Sequence, residues 1–191
     1  MGENIGLEYK DAVNNVNKQY LDKWDLIPDG YYISVSTIEP RKNLGYLLEV
    51  LVPFLKEQQR KLVLVGRNGW GENKKLQQMI EEVGNYIVFT DYVTTKELFS
   101  LYHYAYAFVL LSKDEGFGRT PFEAVACGCK RIILSDIEIF RETFDGNALF
   151  LPLFDIEKAQ SMISKVVNIF VDDSFSLPFD AIEKRLVELE W

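Results

Sequence analysis

The sequence predicts an α/β domain built on a doubly wound, Rossmann-like parallel sheet, and three observations lead there. Short apolar runs recur along the chain without the polar half of the alternation that a strand with one wet face would keep. Amphipathic stretches of helical period stand between them. Gly, Asn, Asp and Pro cluster at the joints. Strand and helix in alternation, with strands apolar on both sides, is the pattern of a parallel sheet covered by helices on both faces.

The elements follow in order. Met1 to Asp29 is polar and reads as a linker or tail, which leaves residues 30–191 as the folded domain. Tyr31 to Val35 is the first strand. Asn43 opens a helix carried by Leu44, Leu47, Leu48, Leu51 and Leu55, in which Pro53 predicts a kink. Lys61 to Val65 is the second strand, ended by Gly66; Arg67 to Gly71 is a turn, and a charged helix runs from Glu72 to Val83. Tyr86 to Phe89 is the third strand, Thr95 to Tyr104 the next helix, and Ala107 to Leu111 the fourth strand. A glycine-rich loop then leads into a helix with Pro121 in its first turn. Arg131 to Leu134 and Ala148 to Leu151 add two strands, and Ile156 to Phe170 reads as a helix.

With 191 residues, 48% of them hydrophobic, the chain can bury one substantial core, so a single domain is expected. A formal net charge of -8 repels phosphate backbones and anionic lipid, which argues against a general nucleic-acid binder. Cys127 and Cys129 are separated by one Gly, a spacing unsuited to a disulfide or to a metal site without partners, so two reduced thiols are expected. No metal constellation stands out. Asp91 and Asp114 read as loop residues, and His103 as a packed or half-exposed helix residue. The absence of a long apolar run and of a secretory leader pattern points to a cytoplasmic protein.

In a doubly wound sheet ligands gather beyond the carboxyl ends of the strands. Two loops there carry unusual chemistry. In Ser112 to Gly128, Gly116 and Gly118 allow close backbone approach, and the helix start that follows offers free N–H groups suited to a diphosphate. Glu115 lies in the loop and Glu123 in the helix, and a carboxylate is suited to accept hydrogen bonds from sugar hydroxyls. Spacing alone fits equally a capped helix with a solvated glutamate pair. In Ser36 to Asn43, Arg41 and Lys42 are placed to neutralise a phosphate from across the cleft, although such a pair, taken alone, is more often a solvated surface.

Together these residues resemble the retaining glycosyltransferases of family 4, the group 1 family with the two-domain GT-B architecture. Glu115-Gly-Phe-Gly-Arg-Thr-Pro-Phe-Glu123 is similar to that family's pair of glutamates separated by seven residues. Thr37-Ile-Glu-Pro-Arg-Lys-Asn43 resembles its Lys-bearing loop, and Leu64 to Trp70 and Asp91 to Leu98 fall between them in the family's order. The resemblance implies that this chain is the C-terminal half, which binds the nucleotide sugar. Glu115 and Lys42 would be catalytic, Glu115 with the backbone of Gly116, Phe117 and Gly118 holding the donor sugar and Lys42 stabilising the departing diphosphate. Glu123 would bind the ribose. Arg41, Arg119, Thr120 and Thr37 would line the donor site, and the tip at Tyr92, Val93 and Thr94 would lie near the base. The family often has Arg where this chain has Thr37, and an apolar residue where it has Arg119. Cys129-Lys130-Arg131 also departs from the family's small residue, Pro and Val.

The resemblance further implies transfer of a hexose from a nucleoside-diphosphate sugar, GDP-mannose in preference to a UDP-sugar, to a glycan or lipid-linked acceptor, with no metal or other cofactor required. On this resemblance the chain is expected to lack the acceptor-binding N-terminal half, and so to bind donor with little transfer activity of its own. The expected partners are therefore the nucleotide sugar and an N-terminal domain or subunit, which would carry any peripheral contact with the inner face of a membrane. Two other readings stand beside this one: a separate donor-binding subunit of a two-chain transferase, and a non-enzymatic α/β module sharing only the topology.

Overall fold

The computed structural model describes residues 12–37, 39–66, 74–164 and 171–172. Strands and helices alternate: β1 (Tyr31–Val35), α1 (Leu44–Gln58), β2 (Lys61–Val65), α2 (Lys74–Val83), β3 (Ile87–Phe89), α3 (Thr95–His103), β4 (Ala107–Leu110), α4 (Arg119–Ala126), β5 (Ile132–Ser135), α5 (Glu138–Phe144), β6 (Leu149–Leu151) and α6 (Ile156–Ile163). The strands form one parallel sheet in the order β3-β2-β1-β4-β5-β6. This is the doubly wound fold that the sequence predicts.

Alternation along the strands divides the core in two. Tyr31 and Ile33 of β1, with Phe108 and Leu110 of β4 and Ile132 and Leu134 of β5, face a layer made by α3, α4 and α5. Their neighbours Tyr32, Ala107, Val109 and Ile133 face α1, α2 and α6. Both faces of the sheet are dry, which is why the strand runs lack polar alternation. Burial at ~25 cal/mol per Å² of apolar surface makes this double layer the main source of stability.

Element boundaries move by a residue or two from the expected ones, and three larger differences have physical causes. α1 runs through Pro53 to Gln58, because its face of Leu44, Leu47, Leu48, Leu51 and Leu55 is held against the sheet on both sides of the proline. The short α5 was not foreseen; at seven residues it is too brief for a periodic signal, yet it buries Phe140 and Phe144. The segment read as a tail is packed from Ala12 onward. It forms 3-10 turns at Ala12–Asn15 and Lys18–Trp24 that bury Ala12 and Leu21 against the α3 layer. Lys23 also pairs with Glu97 of α3 at 2.8 Å. The expected turn at Arg67 to Gly71, the start of the charged helix and the stretch 165–170 of the expected last helix lie outside the described residues.

Cys127 and Cys129 are free and buried, and burial pushes the Cys129 thiol up to about 11, so both stay protonated at neutral pH. His103 is half-buried, its Nδ1 2.8 Å from the carbonyl of Cys127. No helix among the described residues is long and apolar enough to cross a membrane.

Candidate functional site

The strand order reverses between β1 and β4, the two strands that start the separate halves of the sheet. Loops leaving the carboxyl ends of such a pair diverge to opposite faces and leave a crevice between them. Here those loops are the two singled out by their chemistry. After β1 the chain makes a 3-10 turn, Pro40–Lys42, that closes with Asn43 in the left-handed region at φ 55°. The amide Nδ2 of Asn43 is buried without a hydrogen bond among the described residues. After β4 the chain crosses the crevice, and the two loops are tied by the backbone bond from Lys113 N to Arg41 O, 2.9 Å.

Glu115 is the centre of the crevice. Its carboxylate accepts from Lys42 Nζ at 2.7 Å, from Arg41 Nη1 at 3.1 Å and from Ser112 Oγ at 2.6 Å. Its side chain is only 6% exposed, against 15% for Lys42 and 43% for Arg41. Arg41 also reaches the carbonyl of Asp114 and the carboxylate of Glu39, each at 2.8 Å. Ser112 is fixed in turn from β5, where Ser135 Oγ donates to its carbonyl at 2.7 Å. The result is an acid and two cations brought together across 73 or more residues of chain and held by a hydroxyl network.

α4 forms the wall of the same crevice. Gly118 is its N-cap at φ 68°, and a Cβ there would stand 2.4 Å from the ring of Phe140, so this glycine is required by backbone and packing. Gly116, by contrast, has nothing within 4 Å of where a Cβ would be, and its side of the loop is open to a ligand. The Phe117 ring is buried and stacked on Phe122 at 5.4 Å, so only its backbone faces the crevice. Thr37 and Arg119 are exposed and Thr120 half-buried at the helix start.

Glu123 lies one turn further along α4, its side chain 12% exposed. Tyr102 of α3, fully buried, donates its hydroxyl to Glu123 Oε2 at 3.3 Å, and Arg119 Nη2 lies 3.6 Å from Oε1. Val93 packs its side chain against the core beside the highly exposed Tyr92, so this tip presents backbone and the Tyr92 ring. Sequence reasoning missed Ser112, Ser135 and Tyr102 as site residues. Ser112 and Ser135, polar residues closing apolar strands, carried the only visible signal.

A wider cleft opens at the other end of the sheet, lined among others by Arg60, His103, Tyr106 and Arg131. Its arginines stack on Tyr106, at 3.7 Å for Arg60 and 4.6 Å for Arg131, and donate to the backbone carbonyls of Asp29 and Tyr106. These cations bond carbonyls just before β1 and β4, whereas Lys42 and Arg41 of the crevice both reach the Glu115 carboxylate.

Known proteins share both the sequence pattern and the fold. The serotype-specific mannosyltransferase WbdA of Escherichia coli is 34% identical over 160 residues, 81% of this chain and 19% of WbdA. The O-antigen chain mannosyltransferase RfbU of Salmonella typhimurium is 31% identical over 156 residues, 80% of this chain and 42% of RfbU. This chain thus spans a fifth to two fifths of the relatives' length. Among solved structures, Anabaena HepE in complex with UDP and glucose superposes with a TM-score of 0.69 at 19% identity, over 92% of this chain and 53% of HepE. Sucrose-phosphate synthase from Thermosynechococcus elongatus gives 0.65 at 21% identity, over 78% of this chain and 39% of that one. The model of the family described as glycosyl transferases group 1 matches residues 24–169, so with this sheet and this crevice the chain belongs to the group 1 glycosyl transferases.

Proposed function

We propose that this chain is the donor-binding domain of a retaining glycosyltransferase that moves a hexose, mannose in preference, from a nucleoside-diphosphate sugar to a glycan or lipid-linked acceptor. The observation that carries the reading is the meeting of Lys42, Arg41 and Glu115 at the switch point of the sheet. Relatives named as mannosyltransferases favour the sugar, and a neighbour holding UDP and glucose favours the ligand class.

Attack by an acceptor hydroxyl on the anomeric carbon breaks the bond to the diphosphate oxygen, on which negative charge accumulates and which takes up the hydroxyl's proton. Lys42, Arg41 and the N–H groups at the start of α4 stabilise that charge, with no metal required in this scheme. Glu115 and the open backbone at Gly116 hold sugar hydroxyls, and Glu123 holds the ribose. An acceptor-binding domain, on the same chain or on a second subunit, presents the acceptor hydroxyl and closes the crevice.

Calorimetric titration with GDP, UDP, ADP, GDP-mannose and UDP-glucose, without metal, tests the reading. Preference for guanine nucleotides is expected, with Glu123→Ala lowering affinity by about tenfold or more, the loss of one well-placed charged hydrogen-bond partner. Equal affinity in wild type and Glu123→Ala would count against the assigned ribose site.

A further inference from the structure

In the structure, the groups assigned to the two ends of the nucleotide sugar are spent on one another. Glu115, assigned to the sugar, is held by Lys42 at 2.7 Å and by Arg41 at 3.1 Å, the cations assigned to the diphosphate. Resting on the donor-site reading, we infer that this ion pair is a selectivity latch: it favours the intact nucleotide sugar over the nucleoside diphosphate left after transfer.

A diphosphate entering the crevice draws Lys42 and Arg41 away from Glu115. The carboxylate, with 6% of its side chain exposed, is then left with the Ser112 hydroxyl and little water. A buried charge stripped of its partners is costly. When the ligand carries its hexose, sugar hydroxyls donate to Glu115 and replace the lost N–H donors. When the hexose has left, nothing replaces them, and return of Lys42 and Arg41 to Glu115 opposes retention of the product. The exchange conserves charge: two cations pass from a carboxylate to a diphosphate, and the carboxylate passes to hydroxyl donors. Ser112 and its support by Ser135 keep Glu115 in place through both states.

The latch makes a prediction of unusual sign. Neutralising an acid that merely binds sugar would change affinity for the bare diphosphate only by relieving repulsion between two anions, which Asp114→Asn in the same loop reports. Neutralising the latch also releases Lys42, while Arg41 keeps the Glu39 carboxylate and the Asp114 carbonyl. Calorimetry on wild type and Glu115→Gln, with GDP and GDP-mannose, and UDP and UDP-glucose in parallel, is the test. Wild type is expected to bind the sugar nucleotide more tightly than its diphosphate. In Glu115→Gln the diphosphate should bind about three- to tenfold more tightly, in the range of one partly buried ion pair, and the preference for the sugar nucleotide should collapse. Glu115→Asp, which withdraws the carboxylate by one methylene, should move the same way by a smaller factor if Glu115→Gln does not fold. Asp114→Asn removes a charge from the same loop without touching a side-chain partner of Lys42, and should leave the preference intact. A diphosphate affinity that is unchanged or weaker in Glu115→Gln, while wild type binds nucleotide, overturns the latch and leaves the donor site standing. Failure of both proteins to bind any of the four ligands overturns the latch and the donor-site reading together.

Discussion

Lys42 and Glu115 stand 73 residues apart in sequence and 2.7 Å apart in space, and this one contact decides how the loops are read. Their types and loop positions were legible in the sequence, together with the glutamate pair and the glycine-rich segment. Their union was not, because it depends on β1 lying beside β4, and spacing along the chain does not encode strand order. Tyr102 was invisible for a related reason: within α3 it looks like any core aromatic, and only the approach of α4 puts Glu123 against its hydroxyl. At this scale the glycines separate by cause. Gly118→Ala meets both a left-handed backbone and the Phe140 ring, and should lower stability by about 1–3 kcal/mol in denaturant unfolding. Gly116→Ala meets open space and should leave stability nearly unchanged while weakening nucleotide binding.

Among the elements, α3 shows how a local signal becomes a tertiary joint. Thr94 and Glu97 form a capping box, with Thr94 N donating to Glu97 Oε2 at 2.7 Å, a pattern readable in the sequence. The same Glu97 receives Lys23 from the N-terminal segment, which sequence alone did not place. The hydrogen bond from Lys23, then that from the Thr94 backbone, holds the Glu97 carboxyl below the usual carboxylate range. A lowered folded-state pKa contributes stability above the unfolded value, roughly pH 4.3, and that stability is lost as pH falls through the folded value. Glu97→Gln should therefore flatten the fall in stability below about pH 5, measured as denaturant midpoint against pH. An unchanged slope would mean that this joint contributes nothing.

On the scale of the whole molecule, two dry sheet faces were legible from the apolar strand runs, and with them the doubly wound class. The packed N-terminal segment was not, because its turns are 3-10 and its apolar residues follow no helical period. Leu21 is fully buried there, and Leu21→Ala should cost about 2–5 kcal/mol. A cost within ~0.5 kcal/mol, as for surface substitutions, would mark the segment as the free tail its composition suggests. Among the described residues, clefts open at both ends of the sheet. The one at the strand starts holds arginines committed to Tyr106 and to backbone carbonyls, and the crevice at the strand ends holds cations gathered on a carboxylate.

Backbone amide shifts on titration with GDP or GDP-mannose distinguish the two clefts directly. Perturbations are expected in residues Arg41 to Asn43 and Lys113 to Thr120, with the Arg60, Tyr106 and Arg131 amides unmoved. Shifts confined to the Arg60 and Arg131 end, with the loops around Glu115 silent, would contradict the donor-site reading.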